Sequence, residues 1–254
     1  MRKDGRKSDE MRPVLIERNY TKFAHGSVLI QVGDTRVICT ASVDEGVPPH
    51  KRNTGQGWVT AEYSLLPGST PKRVSRESSR GKVGGRTHEI QRLIGRSMRA
   101  VVDLSAIGER TIWIDCDVIQ ADGGTRVASI TGAYVALVDA INWLRKNDEL
   151  TGEPLLGSVA AISVGVVDGV ALIDLCYEED VSASVDMNIV LTGAGEYIEL
   201  QGTAEKQTFS EEELALMIGQ AKKGISELTR MQNEALGNST SKYVEIEGNR
   251  NWDL

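Results

Sequence analysis

Apolar and polar residues alternate along much of the chain. Val28, Ile30 and Val32 take every second position, and after Gly33-Asp34 so do Val37 and Cys39. A period of two puts them on one face of a sheet, so the pattern predicts strands over 26–32 and 35–43 joined by a two-residue hairpin turn. Runs of the same kind predict strands over 13–22, 58–66, 111–120, 158–167, 170–177, 184–191 and 197–201. Gly193-Ala194-Gly195 falls between the last two as a hairpin turn. Three other stretches carry a helical period. Ile90, Leu93, Ile94, Met98 and Val101 predict a helix over 88–103. Val127, Ile130, Ala133, Tyr134, Leu137, Ala140, Ile141 and Leu144 predict a second, and Leu214, Met217, Ile218, Ala221, Ile225, Leu228 and Met231 a third. The third opens at Ser210, where Ser210 and Glu213 have capping-box spacing.

Strands, helix, strand, helix, strands, helix: that order predicts the α+β class. The chain reads as a single domain over 1–236 made of two related halves of mixed β-sheet with packed helices, about 1–150 and 151–236, although no repeat shows in the sequence. A polar tail, 237–254, follows and reads as flexible. Two polar stretches interrupt the pattern. Residues 44–57 contain Pro48-Pro49 and Asn53-Thr54-Gly55-Gln56-Gly57, a loop, and residues 67–85 have no apolar period at all, which predicts a mobile loop.

The junction Ala121-Asp122-Gly123-Gly124-Thr125-Arg126 lies where a predicted strand stops and the longest apolar helix begins. Glycines let the chain turn tightly there, the first helical N–H groups lack internal partners, and the helix dipole favours negative charge. Thr125 adds a hydroxyl and Arg126 a fork of donors suited to phosphate oxygens. The same residues also fit an ordinary turn with a threonine cap and a surface arginine. The spacing matches neither Gly-x4-Gly-Lys-Ser/Thr nor Gly-x-Gly-x-x-Gly, so a nucleotide kinase or ATPase is not indicated.

Charge changes the picture. The 254 residues carry a formal net charge of −7, which argues against a polyanionic partner. Between Lys72 and Arg99, however, nine basic residues face only two acids, Glu77 and Glu89. A basic patch confined on an acidic protein points to a local polyanion site. Arg73, Arg76 and Arg80 lie in the loop, while Arg92, Arg96 and Arg99 recur at i, i+4 and i+7 on the predicted helix, where like charges repel unless an anion or solvent relieves them. Carboxylates concentrate elsewhere: Asp174, Glu178, Glu179, Asp180 and Asp186 interrupt apolar strands. On one straight strand Asp180 and Asp186 would stand ~20 Å apart. They share a cation only if residues 181–184 bend, and a polar loop between strands is the plainer reading.

The remaining chemistry is sparse. Cys39, Cys116 and Cys176 each fall in a strand-like run without metal-type spacing, as in a reduced cytoplasmic protein. His25, His50 and His88 have no motif around them and read as structural. No run approaches the ~18 apolar residues of a membrane span, and the charged start has no apolar signal region behind it.

Taken together, Arg2-x-Asp4-Gly5-Arg6, Gly84-Gly85-Arg86, Gln120-Ala-Asp-Gly-Gly-Thr-Arg126 and Glu179-Asp180 through Asp186-Met187-Asn188 resemble the RNase PH family of phosphate-dependent 3′-exoribonucleases. The likeness runs over about 1–236. It implies that Arg86, Gly124, Thr125 and Arg126 bind inorganic phosphate, and that Asp180, Asp186 and Arg126 are catalytic. The two aspartates would also hold Mg²⁺. It further implies trimming of tRNA precursors and other RNA 3′ ends, as tRNA nucleotidyltransferases do in tRNA and rRNA processing. Nucleoside diphosphates would be released, with polymerisation as the reverse reaction, and a homo-hexamer (trimer of dimers) would do the work in the cytoplasm. The competing reading is a ring subunit of the same fold that binds RNA without cutting it, which would lack the Thr-Arg turn or the paired aspartates. Both are present here.

Overall fold

The computed structural model of the chain describes residues 2–147, 149–150, 152–205 and 208–237. The expected tail over 238–254 lies outside them.

The first half builds a five-stranded sheet in the order β1-β2-β3-β5-β4. Its strands are β1 Val14–Arg18, β2 Gly26–Val32, β3 Thr35–Glu45, β4 Trp58–Leu65 and β5 Arg110–Gln120. All neighbours are antiparallel except β4 and β5, which run parallel. The expected hairpin forms with Val28 opposite Cys39 and Ile30 opposite Val37, and all four side chains are buried. β1 is shorter than expected. Asn19, just past its end, takes a positive φ of 56°, and the chain bends away instead of extending to residue 22.

The second half pairs β6 Val159–Val167, β7 Val170–Ile173, β8 Val185–Thr192 and β9 Tyr197–Ala204 as an antiparallel sheet in the order β7-β6-β8-β9. Helix α1 (Gly85–Arg99) packs on β4, and α4 (Glu211–Gly237) covers β6 and β7. Between the two sheets lies α2, Thr125–Lys146, touching β2, β3 and β6. This explains why β6 is apolar without alternation: Val159 and Ala161 join the α2 core, while Ala160, Ile162 and Val164 join the α4 core. By length and hydropathy α2 would pass for a membrane span, yet most of it is buried between the sheets. It approaches β2 so closely that a Cβ on Gly26 would lie 1.9 Å from the Ala136 carbonyl oxygen, which only glycine avoids.

Other expected boundaries move as well. Helix α1 starts at Gly85 rather than 88 and stops at Arg99, with Val101 buried in the turn beyond it and Val102 buried in a β-bridge to Leu155. The apolar stripe that predicted its start marks only the packed turns; Gly85-Arg86-Thr87 adds a polar first turn. The expected strand over 170–177 ends at Ile173, and Tyr177–Ser182 forms a short helix, α3.

Candidate active site

The turn from β5 into α2 is held from several sides. Gly123 and Gly124 have φ of +77° and +67°. A Cβ on Gly123 would lie 2.5 Å from the Leu175 carbonyl oxygen and 2.8 Å from the Tyr177 nitrogen, so only glycine lets this turn lie directly against the start of α3. Asp122 accepts from the Tyr177 amide at 3.3 Å, and Thr35 Oγ1 donates to the Gly123 carbonyl at 2.7 Å. The cap of α2 is Gly124, and Thr125 is already helical. The Thr125 hydroxyl is buried, 2.8 Å from that of Tyr63 on β4. Arg126 follows, mostly buried, its Nη1 donating to Gln201 Oε1 at 2.9 Å.

The carboxylate cluster divides into two sets. Asp174 has a positive φ of 51° and stops β7. Its side chain accepts from Arg12 N, Nε and Nη2 at 2.8, 2.9 and 2.6 Å, and its carbonyl accepts from Arg2 and Arg6. Glu179 receives two bonds from Arg2, each 2.7 Å, and accepts from the Cys176 amide. Arg2, Arg6, Arg12 and Asp174 are buried. Removing one partner of such a network would strand a buried charge, at roughly 3–5 kcal/mol. These residues are structural: they hold the turn after β7 in place and so aim α3. Cys176 lies at the helix cap, not in a strand, because the strand has already ended.

What remains of the cluster faces the cleft. α3 and the two residues after it supply the bend that a shared cation needs, and Asp180 and Asp186 (second residue of β8) line one wall together. Burial pushes the Asp180 carboxyl up; Arg126 and Arg86 pull it down, and Glu205 raises it. Burial and then the charge of Asp180 push Asp186 up to about 6, against Arg126 and with a smaller push from Glu205. The two acids and two arginines thus act on one another across a single cleft of about 830 Å³. Among the described residues no group of three or more His, Cys, Asp or Glu is arranged for a metal. A Mg²⁺ ion needs only one or two carboxylates, with water and substrate phosphate completing its shell. Two mutually repelling carboxylates on the cleft wall, Asp186 half-buried and Asp180 more open, fit that demand.

The basic residues separate by place. Arg86 is exposed in the first turn of α1 and lines the cleft, as do Lys72 and Arg73 from the loop. That loop is tied at its base by Ala121 N donating to the Ser69 carbonyl and Val74 N to that of Pro67, and residues Glu77–Arg80 form a 3-10 turn. Arg76 is exposed, and its charge opposes the upward push of burial on Asp117. The Arg80 side chain lies outside the described residues. Arg92 and Arg96 border a shallower groove of about 230 Å³ beside the cleft, with Arg96 ion-paired to Glu199. Arg99 leaves the stripe: Nη1 donates to the Val59 carbonyl at 2.8 Å, and the guanidinium lies 4.5 Å from the Trp58 ring centre. Among the histidines, His25 accepts from Val43 N and stacks at a tilt on Trp143, and His50 meets Trp58 edge-on, both structural contacts.

The sequence pattern did not expose Tyr63, Glu89, Gln201 or Glu205. Tyr63 and Gln201 sit at alternating positions of ordinary-looking strands, and their signal is the partner they meet across space.

Residues 10–141 match the model of the 3′ exoribonuclease family, domain 1, and residues 157–224 that of domain 2. The chain is 57% identical over 244 residues to Ribonuclease PH of Corynebacterium kroppenstedtii, covering 96% of each chain. It is 59% identical over 236 residues to Ribonuclease PH of Corynebacterium efficiens, covering 93% of this chain and 96% of that one. Two solved structures share the fold. Rice (Oryza sativa) Rrp46 superposes with a TM-score of 0.75 at 21% identity, over 92% of this chain and 100% of that one. A chain of the Archaeoglobus fulgidus exosome with RNA bound to its active site gives a TM-score of 0.74 at 22% identity, over 90% and 91%.

Proposed function

The chain belongs to the 3′ exoribonuclease family, and we infer from that premise that its central cleft carries out phosphorolysis of RNA 3′ ends. It is a phosphorolytic 3′-to-5′ exoribonuclease of tRNA processing, a tRNA nucleotidyltransferase. One observation carries the assignment of the site: Arg86 on α1, the Gly124-Thr125-Arg126 turn at the start of α2, Asp180 on α3 and Asp186 on β8 line one cleft from four separate elements. A ring subunit that only binds RNA has no need of that convergence.

Phosphorolysis must bring one anion against another. At ~4 Å and an effective dielectric of ~20, two unit charges repel by ~4 kcal/mol. Arg86, Arg126 and the N-terminus of α2 offset that repulsion at the incoming phosphate and stabilise charge spread in the in-line transition state. A phosphate oxygen attacks the last phosphodiester phosphorus, and the bond from that phosphorus to the preceding 3′ oxygen breaks. The terminal nucleotide leaves as a nucleoside diphosphate, and the shortened RNA takes up a proton on its 3′ oxygen. The ionised nucleophile needs no Ser/His or Cys/His pair. Asp180 and Asp186 would hold Mg²⁺, which supplies further neutralisation of the reacting phosphates when bound. Lys72 and Arg73 hold the RNA strand leading into the cleft.

The catalytic unit is a homo-hexamer, a trimer of dimers, in the cytoplasm; the free, buried thiols of Cys39 and Cys116 suit a reducing compartment. The test is incubation with a tRNA precursor with and without phosphate, identifying the released nucleotide. Wild type should release nucleoside diphosphates only with phosphate present. Arg126→Ala should abolish the release while tRNA binding persists, and Arg126→Lys should rescue poorly because an ammonium offers no parallel pair of N–H donors. Full phosphate-dependent activity in Arg126→Ala would overturn the assignment.

A further inference from the structure

Arg126 enters the cleft already held. Its Nη1 donates to Oε1 of Gln201 at 2.9 Å, and Nε2 of the same amide donates to Oε1 of Glu89 at 2.6 Å. That Glu89 oxygen also lies 3.5 Å from Arg126 Nη1. A guanidinium has only donors and a carboxylate only acceptors, so the amide between them has one workable orientation: oxygen to Arg126, nitrogen to Glu89. With Nη1 engaged, the edge formed by Nε and Nη2 is the one able to offer an anion two parallel N–H bonds.

The three residues come from three elements. Glu89 lies on α1, about one turn beyond Arg86. Gln201 lies on β9 directly opposite Asn188 of β8, whose second residue is Asp186. The network therefore ties the arginine to both walls of the cleft. We infer that Gln201, oriented by Glu89, is a positioning residue that sets the Arg126 guanidinium to receive inorganic phosphate on its Nε–Nη2 edge, and that the Glu89 charge beside Nη1 opposes the incoming anion. The inference rests on the reading of Arg126 as a phosphate-binding residue.

Phosphorolysis of a tRNA precursor at varied phosphate tests it, with phosphate-free filter binding to measure tRNA affinity. Gln201→Leu removes the acceptor and frees the arginine. It should raise the KM for phosphate about tenfold, the scale of one hydrogen bond to a charged group, with tRNA affinity unchanged. Glu89→Gln keeps an acceptor for the Gln201 amide but removes the opposing charge, so its phosphate KM should fall below that of wild type. An unchanged phosphate KM in Gln201→Leu overturns the positioning role. So does a parallel loss of tRNA affinity, which would mean general damage to β9. A raised phosphate KM in Glu89→Gln overturns the opposing role of its charge. Arg126→Ala run alongside separates the layers: if it is inactive while Gln201→Leu behaves as wild type, only this inference fails, and if it keeps full phosphate dependence, the reading beneath fails too.

Discussion

Asp186 is charged at neutral pH only against resistance, because burial and the neighbouring Asp180 push its carboxyl from 3.8 up to about 6. A raised carboxyl favours the folded state below its unfolded pKa, and that favour is lost as pH rises through the folded value. Metal-free wild type should therefore lose stability between about pH 4 and pH 6 and stay less stable above. At 1.36 kcal/mol per unit the loss is on the order of 2–3 kcal/mol. Asp186→Asn cannot ionise. In thermal unfolding with chelator it should melt above wild type at pH 7.5, and the gap should close near pH 4. Added Mg²⁺ should raise the wild-type Tm and leave the variant unmoved, while phosphorolysis by the variant collapses. A variant that melts with wild type at pH 7.5 would contradict the raised carboxyl, and one that Mg²⁺ stabilises equally would remove Asp186 from the metal site. At this scale the sequence was informative about groups whose chemistry is local. A Gly-Gly-Thr-Arg turn at a strand-helix junction marks a candidate anion site from local sequence, although the same residues also fit an ordinary turn. Gln201 and Tyr63 act through partners 75 and 62 residues away along the chain, and no local pattern announces them.

Among the elements, periodicity found every strand and three of the helices, and failed where a tertiary contact outweighed it. β7 was expected to run to residue 177, since Leu172, Ile173 and Leu175 are apolar. Asp174, in a left-handed conformation and gripped by Arg12, ends the strand instead, and the acids at the start of α3 suit a helix N-terminus. The change matters for function, because a straight strand would have separated Asp180 from Asp186. The loop between β4 and α1 was legible as a basic segment without core residues, but only the fold distinguishes Lys72 and Arg73 on the cleft wall from Arg76 beside Asp117. Lys72→Ala/Arg73→Ala should thus flatten the dependence of log tRNA affinity on log salt by roughly 1.4, about 0.7 per lost contact to a single strand. Arg76→Ala should change it less, and a short oligonucleotide should still be cleaved. Equal slopes for wild type and the double variant would show that the cleft wall does not touch the RNA.

For the molecule as a whole, two sheets share one apolar helix, and the candidate cleft opens at its N-terminus. The order of elements implied two halves of sheet with packed helices, whereas the placing of α2 between both sheets and the burial of β6 on both faces show only once the helices are in place. Assembly poses the remaining question at this scale. The stripe on α1 was expected to present three arginines to an anion or to solvent. The fold commits Arg99 to Trp58 and pairs Arg96 with Glu199, so the outward charge falls to Arg92, exposed on the rim of the shallow groove. If the proposed hexamer uses this face, acidic surface elsewhere on the chain supplies the complement, and reversing one charge places like against like at each equivalent contact. Arg92→Glu should then give a smaller particle than wild type in light scattering, and raising the salt should narrow the difference by screening the repulsion. Should the particle keep its size while tRNA affinity drops, the groove serves the RNA strand and the subunits meet elsewhere.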